Sequence, residues 1–271
     1  MRYTILGATG VIGSHLVSQL RKRGDDVFAP PRDFSGCSEE DLGHVIYSIG
    51  LTADFRTRPF DTMEAHVSKL ADFLRAAQFS SFLYLSSTRV YGNNLETAEE
   101  SLLSVRPTDP SDLYNISKLA GESLCLQSGR ADVRVARLSN VIGFDETRAD
   151  TFVGALCREA LSGHIHLQTA LSSCKDYIWI EDAAWLLERI AASGRHKLYN
   201  VASGVQVLHS QWVQALCDHT GCDITVAENA SSTCFPPICV ERVRAEFGYS
   251  ATNVLRYVPD ILAADQIQQK G

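Results

Sequence analysis

Ser87, Tyr114 and Lys118 are the residues whose types and spacing are best suited to chemistry. Tyr114 and Lys118 are four residues apart in a segment of helical periodicity, so their side chains share one helix face. A free tyrosine has a pKa of about 10, and a lysine cation beside it would bring that pKa nearer to neutrality. The tyrosine could then protonate a carbonyl oxygen while hydride arrives at the carbon, or take the proton in reverse. Ser87 follows a predicted strand, and its hydroxyl could hold the same oxygen.

A glycine-rich segment, Gly7-Ala8-Thr9-Gly10-Val11-Ile12-Gly13, connects the first predicted strand to the first predicted helix. Gly7 would allow the tight turn, Gly10 would let the backbone approach a pyrophosphate, and Gly13 would let the helix pack closely on the strand. The amino terminus of the helix offers free N–H groups and the positive end of its dipole to phosphates. A glycine triplet in this position predicts dinucleotide binding.

The cofactor preference depends on the end of the second predicted strand, where an acidic residue would bind the ribose hydroxyls of NAD. Pro30 and Pro31 occupy that point, and Arg32 follows at once. A guanidinium could pair with the 2′-phosphate of NADP, so Arg32 favours NADP(H) over NAD(H). Asp33 beside it keeps NAD(H) open, and a solvated surface position is the alternative for Arg32.

The elements that must position these residues alternate between apolar runs and helical segments. Strands are predicted at 2–6, 26–29, 44–49, 82–85 and 133–138, and helices at 11–23, 61–77 and 112–128. This alternation predicts an α/β fold, a Rossmann-type doubly wound parallel sheet covered on both faces. Helices are also predicted at 151–161, 181–192, 210–219 and 240–247, with extended segments at 198–202 and 224–227. We expect a dinucleotide-binding domain at 1–143 and a smaller C-terminal substrate-binding lobe at 144–271, with segments near 175–203 returning to the first domain.

The composition excludes several classes of protein. The chain has 271 residues, 45% of them apolar and 21% charged, enough for one large core with a small lobe. A net charge of −7 argues against a nucleic-acid partner, which needs a clustered basic surface. No apolar stretch approaches the roughly 20 residues that span a bilayer, and the apolar run Tyr3–Leu6 is too short for a signal peptide. We therefore expect a cytoplasmic protein with no membrane partner and a small-molecule substrate.

The eight cysteines include two pairs, Cys217 with Cys222 and Cys234 with Cys239, each with four residues between its members. Zinc ribbons usually have two to four residues between, so this spacing is marginal and we expect no metal site. A disulfide framework is not expected in a cytoplasmic chain of this size. The prediction is free thiols, for these four and for Cys37, Cys125, Cys157 and Cys174.

These features resemble the extended short-chain dehydrogenase/reductase family, which includes nucleotide-sugar epimerases, dehydratases and ketoreductases. The resemblance extends from Met1 to about Tyr249. Besides the glycine-rich segment, it is carried by Leu83–Gly92, Tyr114–Lys118, Arg137–Gly143, Lys175–Asp182 and Tyr199–Gly204. The resemblance implies that Ser87, Tyr114 and Lys118 form a catalytic triad, and relatives often dimerise through two helices, which makes a homodimer a further expectation.

The resemblance also implies contacts with ligands. Ile49 and Gly50 lie at the end of the predicted strand at 44–49, which matches the fourth strand of relatives, where Ala-Ala or Ala-Gly follows. We assign these two residues, with Leu138, to the cofactor. On the substrate side, Asn140 matches an asparagine that touches the substrate phosphate in relatives, and Lys175 stands where many carry an arginine for the same diphosphate. Thr88 and Arg89, next to Ser87, complete the predicted substrate site. Solvated surface positions are the alternative for Lys175 and Arg89.

Three departures from the family pattern limit the function. Only about a dozen residues separate Arg32 from His44, so the third strand of the sheet is expected to be shortened or missing. The 4,6-dehydratases carry Asp-Glu after the catalytic hydroxyl residue, whereas this chain has Thr88 and Arg89, which leaves water elimination without an obvious acid and base. The segment Glu228–Pro237 lacks the arginine with which relatives often grip the diphosphate.

The expected function is NAD(P)H-dependent reduction of a keto group on a sugar, with a nucleotide-linked 4-keto-6-deoxy sugar as the preferred substrate. An NAD-dependent nucleotide-sugar epimerase is the first alternative, because the triad fits it equally. A non-catalytic NADP-sensing regulatory protein is the second. The presence of all three triad residues argues against it, because such relatives usually lose the tyrosine or the lysine.

Overall fold

The structure is a computed structural model that describes residues 1–34, 41–51, 54–146 and 150–268. Its strands are β1 (Arg2–Leu6), β2 (Asp26–Phe28), β3 (His44–Tyr47), β4 (Ser81–Ser87), β5 (Val133–Leu138), β6 (Asn140–Ile142), β7 (His164–Thr169), β8 (Cys174–Trp179), β9 (Leu198–Val201), β10 (Gln206–Leu208) and β11 (Asp223–Ser231). Its α-helices are α1 (Val11–Lys22), α2 (Pro59–Met63), α3 (Lys69–Ala76), α4 (Asp112–Gln127), α5 (Phe152–Leu161), α6 (Ile180–Ser193), α7 (His209–Thr220), α8 (Glu241–Phe247) and α9 (Val258–Gln268).

A parallel six-stranded sheet forms the centre of the molecule, in the order β2-β1-β3-β4-β5-β9. The predicted α/β fold with a doubly wound parallel sheet is therefore confirmed. Among the described ranges β2 is an edge strand of this sheet, and residues 35–40, in the interval where the third strand is expected to be shortened or missing, lie outside those ranges. Because the strands are parallel, their carboxyl ends meet along one edge, where open sheets of this type bind ligands.

Helices cover both faces of this sheet, and alternate strand residues point to each face. On one face, Ile5 and Ile46 pack with α1 and α6 in a core that includes Leu16 and Leu187. On the other face, neighbouring strand residues pack with α3 and α4. This second core includes Leu6, Val45, Tyr47, Leu70, Phe73, Phe82 and Cys125. Each large side chain buried in this way contributes about 1.5–3 kcal/mol of transfer free energy, so the two cores hold the strand ends rigidly in place.

The C-terminal part of the chain forms a separate hydrophobic cluster around Trp179 and Trp212. Its strands form two small sheets, β10-β8-β6 and β11-β7, which are flanked by α5, α7 and α9. Three segments from this part pack with the main sheet instead. β9 pairs with β5, α6 lies on the face of the sheet, and α8 joins the same core through Val243. Within the described residues, every helix is too short or too polar to cross a bilayer.

Cys174 and Cys234 are joined in a disulfide, with their Cα atoms 4.7 Å apart, so the prediction of free thiols is wrong for this pair. The bond joins β8 to the segment that contains Cys234. The backbone N–H of the next residue, Phe235, donates to Cys174 O at 3.3 Å. Sixty residues separate the two cysteines, and the packing of the lobe brings them together. Cys37 lies outside the described residues, and the other five cysteines are free thiols. In the described part of the chain, no group of three His, Cys, Asp or Glu side chains is placed to hold a metal ion.

Replacing the exposed sulfur of this bond is expected to destabilise the protein. We expect Cys234→Ser to lower the free energy of unfolding by about 2–4 kcal/mol, because the unfolded chain loses a long-range cross-link. Urea denaturation without reductant measures this loss, and Cys239→Ser, which removes a half-buried free thiol, is the matched control. Reductant should bring the wild type down to the stability of the variant. Equal stability of variant and wild type would show that the bond does not form in solution.

Candidate active site

The three predicted catalytic residues lie together at the carboxyl edge of the main sheet. Ser87 ends β4, and its Oγ accepts a hydrogen bond from Arg89 N at 3.2 Å. Tyr114 and Lys118 lie on the buried face of α4, one turn apart, and their side chains are 4% and 5% exposed. All three line one cavity of about 760 Å³. The sequence pattern thus placed three distant residues in a single site.

The electrostatics of this trio differ from the expectation that Lys118 would bring the pKa of Tyr114 towards neutrality. Burial raises the pKa of Tyr114, while a hydrogen bond with Ser87 and the charge of Arg89 act in the opposite direction. Burial lowers the pKa of Lys118 to about 7, which the charge of Glu122 partly offsets. The ammonium Nζ lies 5.8 Å from the centroid of the Tyr114 ring and donates to Leu85 O at 2.9 Å. Tyr114 therefore keeps its proton at neutral pH, the form that a proton donor needs.

A buried ion pair behind the site fixes its floor. Arg137 Nη2 donates to Glu122 Oε2 at 2.7 Å, and both side chains are almost fully buried. Glu122 Oε1 also accepts from Ser86 Oγ at 2.5 Å. Because Glu122 lies one turn after Lys118 on α4 and Ser86 directly precedes Ser87, this network connects the helix of Tyr114 to the end of β4. Such fully bonded buried groups are costly to break, so they hold the triad in register.

The glycine-rich segment has the geometry expected of a phosphate loop. Gly7 has a φ of +85°, and a Cβ there would lie 2.9 Å from the backbone of Ser48. A Cβ on Gly13 would lie 2.3 Å from Gly7 O, so α1 packs directly on the turn. No side chain caps α1, and its first turn carries no acidic residue. The uncapped N–H groups and the dipole of this helix fit a dinucleotide pyrophosphate.

The predicted cofactor residues divide into two groups in the structure. Ile12, Ile49, Gly50 and Leu138 line the same cavity as the triad. The remaining ones lie beyond its lining: Gly7, Thr9, Gly10, Val11, Gly13 and Arg32. The first five belong to the turn and the start of α1, while Arg32 is exposed beyond the end of β2. An elongated dinucleotide could contact both groups, with its phosphates at α1 and its nicotinamide in the cavity.

The predicted substrate residues Thr88, Arg89, Asn140 and Lys175 all line the cavity. Asn140 Nδ2 donates to Asp176 O at 2.8 Å, which holds β6 against β8.

The two cations, Arg89 and Lys175, are half-buried rather than solvated. Lys175 Nζ lies between the rings of Phe152 and Phe235, 5.7 and 5.9 Å from their centroids. The Arg89 guanidinium lies 5.6 Å from the centroid of Tyr114 and 5.0 Å from that of Phe55. Burial lowers the pKa of both side chains. The Arg89 charge adds to the lowering for Lys175, so the two cations share one region of the cavity.

His66 and Phe55 are site residues that the sequence did not single out. Phe55 carries Arg89 on its ring, and its centroid lies 5.4 Å from that of Tyr114. His66 is fully buried, lines the cavity, and contacts the Tyr114 ring edge-on at 5.5 Å. A signal was present for His66, because it shares the apolar helix face of Leu70 and Leu74, where a polar side chain needs partners. Phe55 follows the predicted third apolar strand in an irregular loop and gave no comparable signal.

The parallel sheet, the phosphate loop and the Ser-Tyr-Lys cavity define an NAD(P)-dependent oxidoreductase of the extended short-chain dehydrogenase/reductase type. Residues 39–202 match the model of the NAD dependent epimerase/dehydratase family. The match covers more than half of the chain, and the protein belongs to this family.

Three matches show what this chain is similar to. The GDP-6-deoxy-D-mannose reductase of Pseudomonas aeruginosa is 28% identical over 259 residues, which cover 84% of this chain and 83% of the relative. The structure of RMD from Pseudomonas aeruginosa complexed with NADPH superposes with a TM-score of 0.83 at 24% identity and covers 97% of this chain and 98% of that one. MoeE5 in complex with UDP-glucose and NAD gives a TM-score of 0.78 at 22% identity, with 99% and 100% covered. At these identities, the two structures support the fold alone.

Proposed function

We propose that this enzyme uses NADPH to reduce the keto group of a nucleotide-linked 4-keto-6-deoxy sugar. The observation that carries the proposal is the content of one cavity: a buried tyrosine beside a serine hydroxyl, with two half-buried cations nearby. A tyrosine that keeps its proton suits the reductive direction, in which the carbonyl oxygen must be protonated. The relative from Pseudomonas aeruginosa, named as a GDP-6-deoxy-D-mannose reductase, supports the same class of substrate.

Each triad residue has a distinct role in this proposal. Ser87 Oγ and the Tyr114 hydroxyl would both donate to the keto oxygen, and Tyr114 would pass its proton to that oxygen as the alcohol forms. Lys118 would hold the cofactor ribose beside Tyr114. NADPH bound along the phosphate loop would supply the hydride. Leu85 and Leu138, which are buried and line the cavity, would place apolar surface beside the bound ligands.

The charges of the cavity favour an anionic substrate. Neither Arg89 nor Lys175 forms an ion pair within the described residues, although Arg89 Nη2 donates to Ser111 O at 3.4 Å. Two half-buried cations that repel each other are stabilised by an anion placed between them. A nucleoside diphosphate carries such an anion, and Lys175 would bind it as a point charge.

Most acidic residues of the cavity are already bonded within the protein, which argues against a dehydratase. Asp176 accepts from Ser203 N at 3.0 Å and from Gly204 N at 2.7 Å. Asp112 accepts from Arg106 N at 2.7 Å, and Glu146 accepts from Thr151 Oγ1. These three carboxylates are engaged by the protein, while the fourth one in the lining, Asp150, is exposed in the segment before α5. Elimination of water needs a free acid and base at the sugar, and the positions after Ser87 are Thr88 and Arg89.

The preference for NADPH over NADH rests on Arg32. Its side chain is exposed in the turn that follows β2, and β2 is the neighbour of β1, the strand that leads into the phosphate loop. A guanidinium in that place would bind a 2′-phosphate. We also propose that residues 1–143 bind the dinucleotide and that most of 144–271 binds the sugar nucleotide. A cytoplasmic location and a homodimer are parts of the same proposal.

Purified protein tests the proposed reaction directly. We expect little co-purified nucleotide, tighter binding of NADPH than of NADH by nicotinamide fluorescence, and loss of absorbance at the NADPH band when a GDP-linked 4-keto-6-deoxy sugar is added. Tightly co-purified NAD, with interconversion of two nucleotide sugars and no net cofactor consumption, would replace this proposal with the epimerase. Cofactor binding without turnover of any keto sugar would favour a sensing protein.

Removing the charge of Lys175 is expected to weaken substrate binding selectively. Lys175→Met should raise the KM for the sugar nucleotide roughly 10- to 100-fold, since hydrogen bonds to charged groups contribute about 1.5–3 kcal/mol. The Kd of NADPH should change less than about twofold, because Lys175 lies on the lobe side of the cavity. Lys22→Met, at the exposed end of α1, is the control for loss of one positive charge. An unchanged KM would remove Lys175 from the substrate site.

A further inference from the structure

His66 occupies an unusual place behind the catalytic residues. It lies in a π-helical turn, Glu64–Ser68, that interrupts the helical segment between α2 and α3. Its side chain is 0% exposed. Extra-residue turns of this kind widen the helix locally and recur at functional sites. Here the turn directs an imidazole to the point where the loop after β3 meets α4.

The hydrogen bonds of His66 determine which ring nitrogen carries the proton. Nε2 accepts from the backbone N–H of Leu51 at 3.3 Å. Nδ1 lies 2.8 Å from Ser117 Oγ, whose own proton goes to Tyr114 O at 2.8 Å. The serine oxygen is therefore the acceptor, and the imidazole carries its proton on Nδ1. The neutral imidazole thus connects the Gly50–Leu51 loop to the helix turn between Tyr114 and Lys118.

The surroundings of His66 keep this arrangement fixed. A Cβ on Gly50 would lie 2.9 Å from His66 Nε2 and 3.4 Å from Lys118 Nζ, so ring and amine both lie against the Gly50 backbone. Burial, and after it the charge of Lys118, lowers the pKa of His66 to about 2. The ring therefore stays neutral at any pH at which the enzyme works, and Nε2 stays an acceptor.

We infer that His66 is a positioning residue of the active site, which holds the Gly50–Leu51 loop at a fixed distance from Tyr114 and Lys118. The inference rests on the proposed function only in its kinetic part, because Gly50 and Leu51 line the cavity whichever substrate the enzyme takes. Nε2 sets the position of the loop on the cofactor side. Nδ1, acting through Ser117, sets the position of the α4 turn that carries the proton donor.

Two substitutions separate these two bonds. An asparagine amide reaches the place of Nδ1, so His66→Asn can keep the bond to Ser117 but loses the acceptor for Leu51 N–H. A glutamine amide reaches the place of Nε2, so His66→Gln can keep that acceptor but loses the bond to Ser117. We expect His66→Asn to weaken NADPH binding about tenfold, and His66→Gln to keep the Kd within about threefold while kcat falls about tenfold. Ser117→Ala should reproduce the effects of His66→Gln on kcat and Kd.

The measurements are the Kd of NADPH by fluorescence, kcat and KM with the keto sugar, and the melting temperature of each variant. Weaker NADPH binding in His66→Asn, together with a lower kcat at nearly unchanged Kd in His66→Gln, supports the positioning role. Parallel losses that follow the melting temperature would reduce His66 to a core residue, and unchanged Kd and kcat in both variants would overturn the inference. If the wild type binds NADPH but reduces no keto sugar, the proposed reaction has failed, while the Kd comparison still tests the loop bond.

Discussion

Tyr114→Phe is expected to lower kcat by about 10² to 10⁴, the usual contribution of a positioned general acid, with the Kd of NADPH changed less than about threefold. The phenylalanine ring keeps the contacts of Tyr114 with Phe55 and His66, whose centroids lie 5.4 and 5.5 Å away. Only the hydroxyl is lost, and with it the proton for the keto oxygen. Single-turnover reduction followed by NADPH absorbance measures the chemical step directly.

The matched control for this prediction is Tyr257→Phe. Tyr257 stacks on Trp179 at 4.0 Å in the lobe core and does not line the cavity. The Tyr257→Phe variant should keep full activity, which separates the loss of a tyrosine hydroxyl from the loss of the proton donor. Retention of wild-type turnover by Tyr114→Phe would end the assignment of Tyr114 as proton donor. A large rise in the Kd of NADPH would instead indicate a disturbed cavity.

The main sheet and its site could be predicted because local pattern and tertiary burial agree there. In α4, Tyr114 and Lys118 share one face, as their spacing of four residues predicted, and Ser87 ends a strand with an apolar centre. In the lobe, helices α5, α6, α7 and α8 follow their predicted ranges, but local pattern and tertiary burial disagree in strand β8. The sequence of β8 is CKDYIW, in which the polar Lys175 and Asp176 interrupt the apolar run. Asp176 is nevertheless buried, and it accepts hydrogen bonds from Ser203 N and Gly204 N. Such non-local partners leave no periodic signal.

Three features of the site depend on contacts that the sequence does not encode locally. The π-helical turn at His66 departs from the 3.6-residue period on which helix prediction rests. The Cys174–Cys234 bond joins segments 60 residues apart. The pKa of Tyr114 was predicted to fall because its neighbour on the helix is a lysine, yet burial of both side chains penalises the charged form of each. Spacing identified the pair of residues, while desolvation, a property of the folded core, determined their protonation.

That desolvation leads to a prediction about stability. Burial lowers the pKa of Lys118 from 10.5 to about 7, so between these values the unfolded chain binds a proton that the native protein does not. Stability therefore rises with pH across this window, and below about pH 7 the native protein carries the full cost of a buried ammonium. Lys118→Met removes the titrating group and keeps most of the volume. Relative to the wild type, the variant should be most stabilised at low pH, and this difference should shrink by about 1–3 kcal/mol between pH 6.5 and 9.5.

Urea denaturation of the cofactor-free proteins at these two pH values tests the prediction, with Lys22→Met, an exposed lysine, as the control whose stability difference should be flat. Activity provides a second readout, because Lys118→Met should turn over at least about 10²-fold more slowly if the amine assists Tyr114. A more stable but inactive variant means that the active site keeps a buried lysine at the expense of folding free energy. Parallel stability curves for wild type and Lys118→Met would mean that Lys118 stays charged in the native protein. The low-dielectric cavity inferred around Tyr114 would then have to be abandoned, together with the raised pKa that suits the tyrosine to donate a proton.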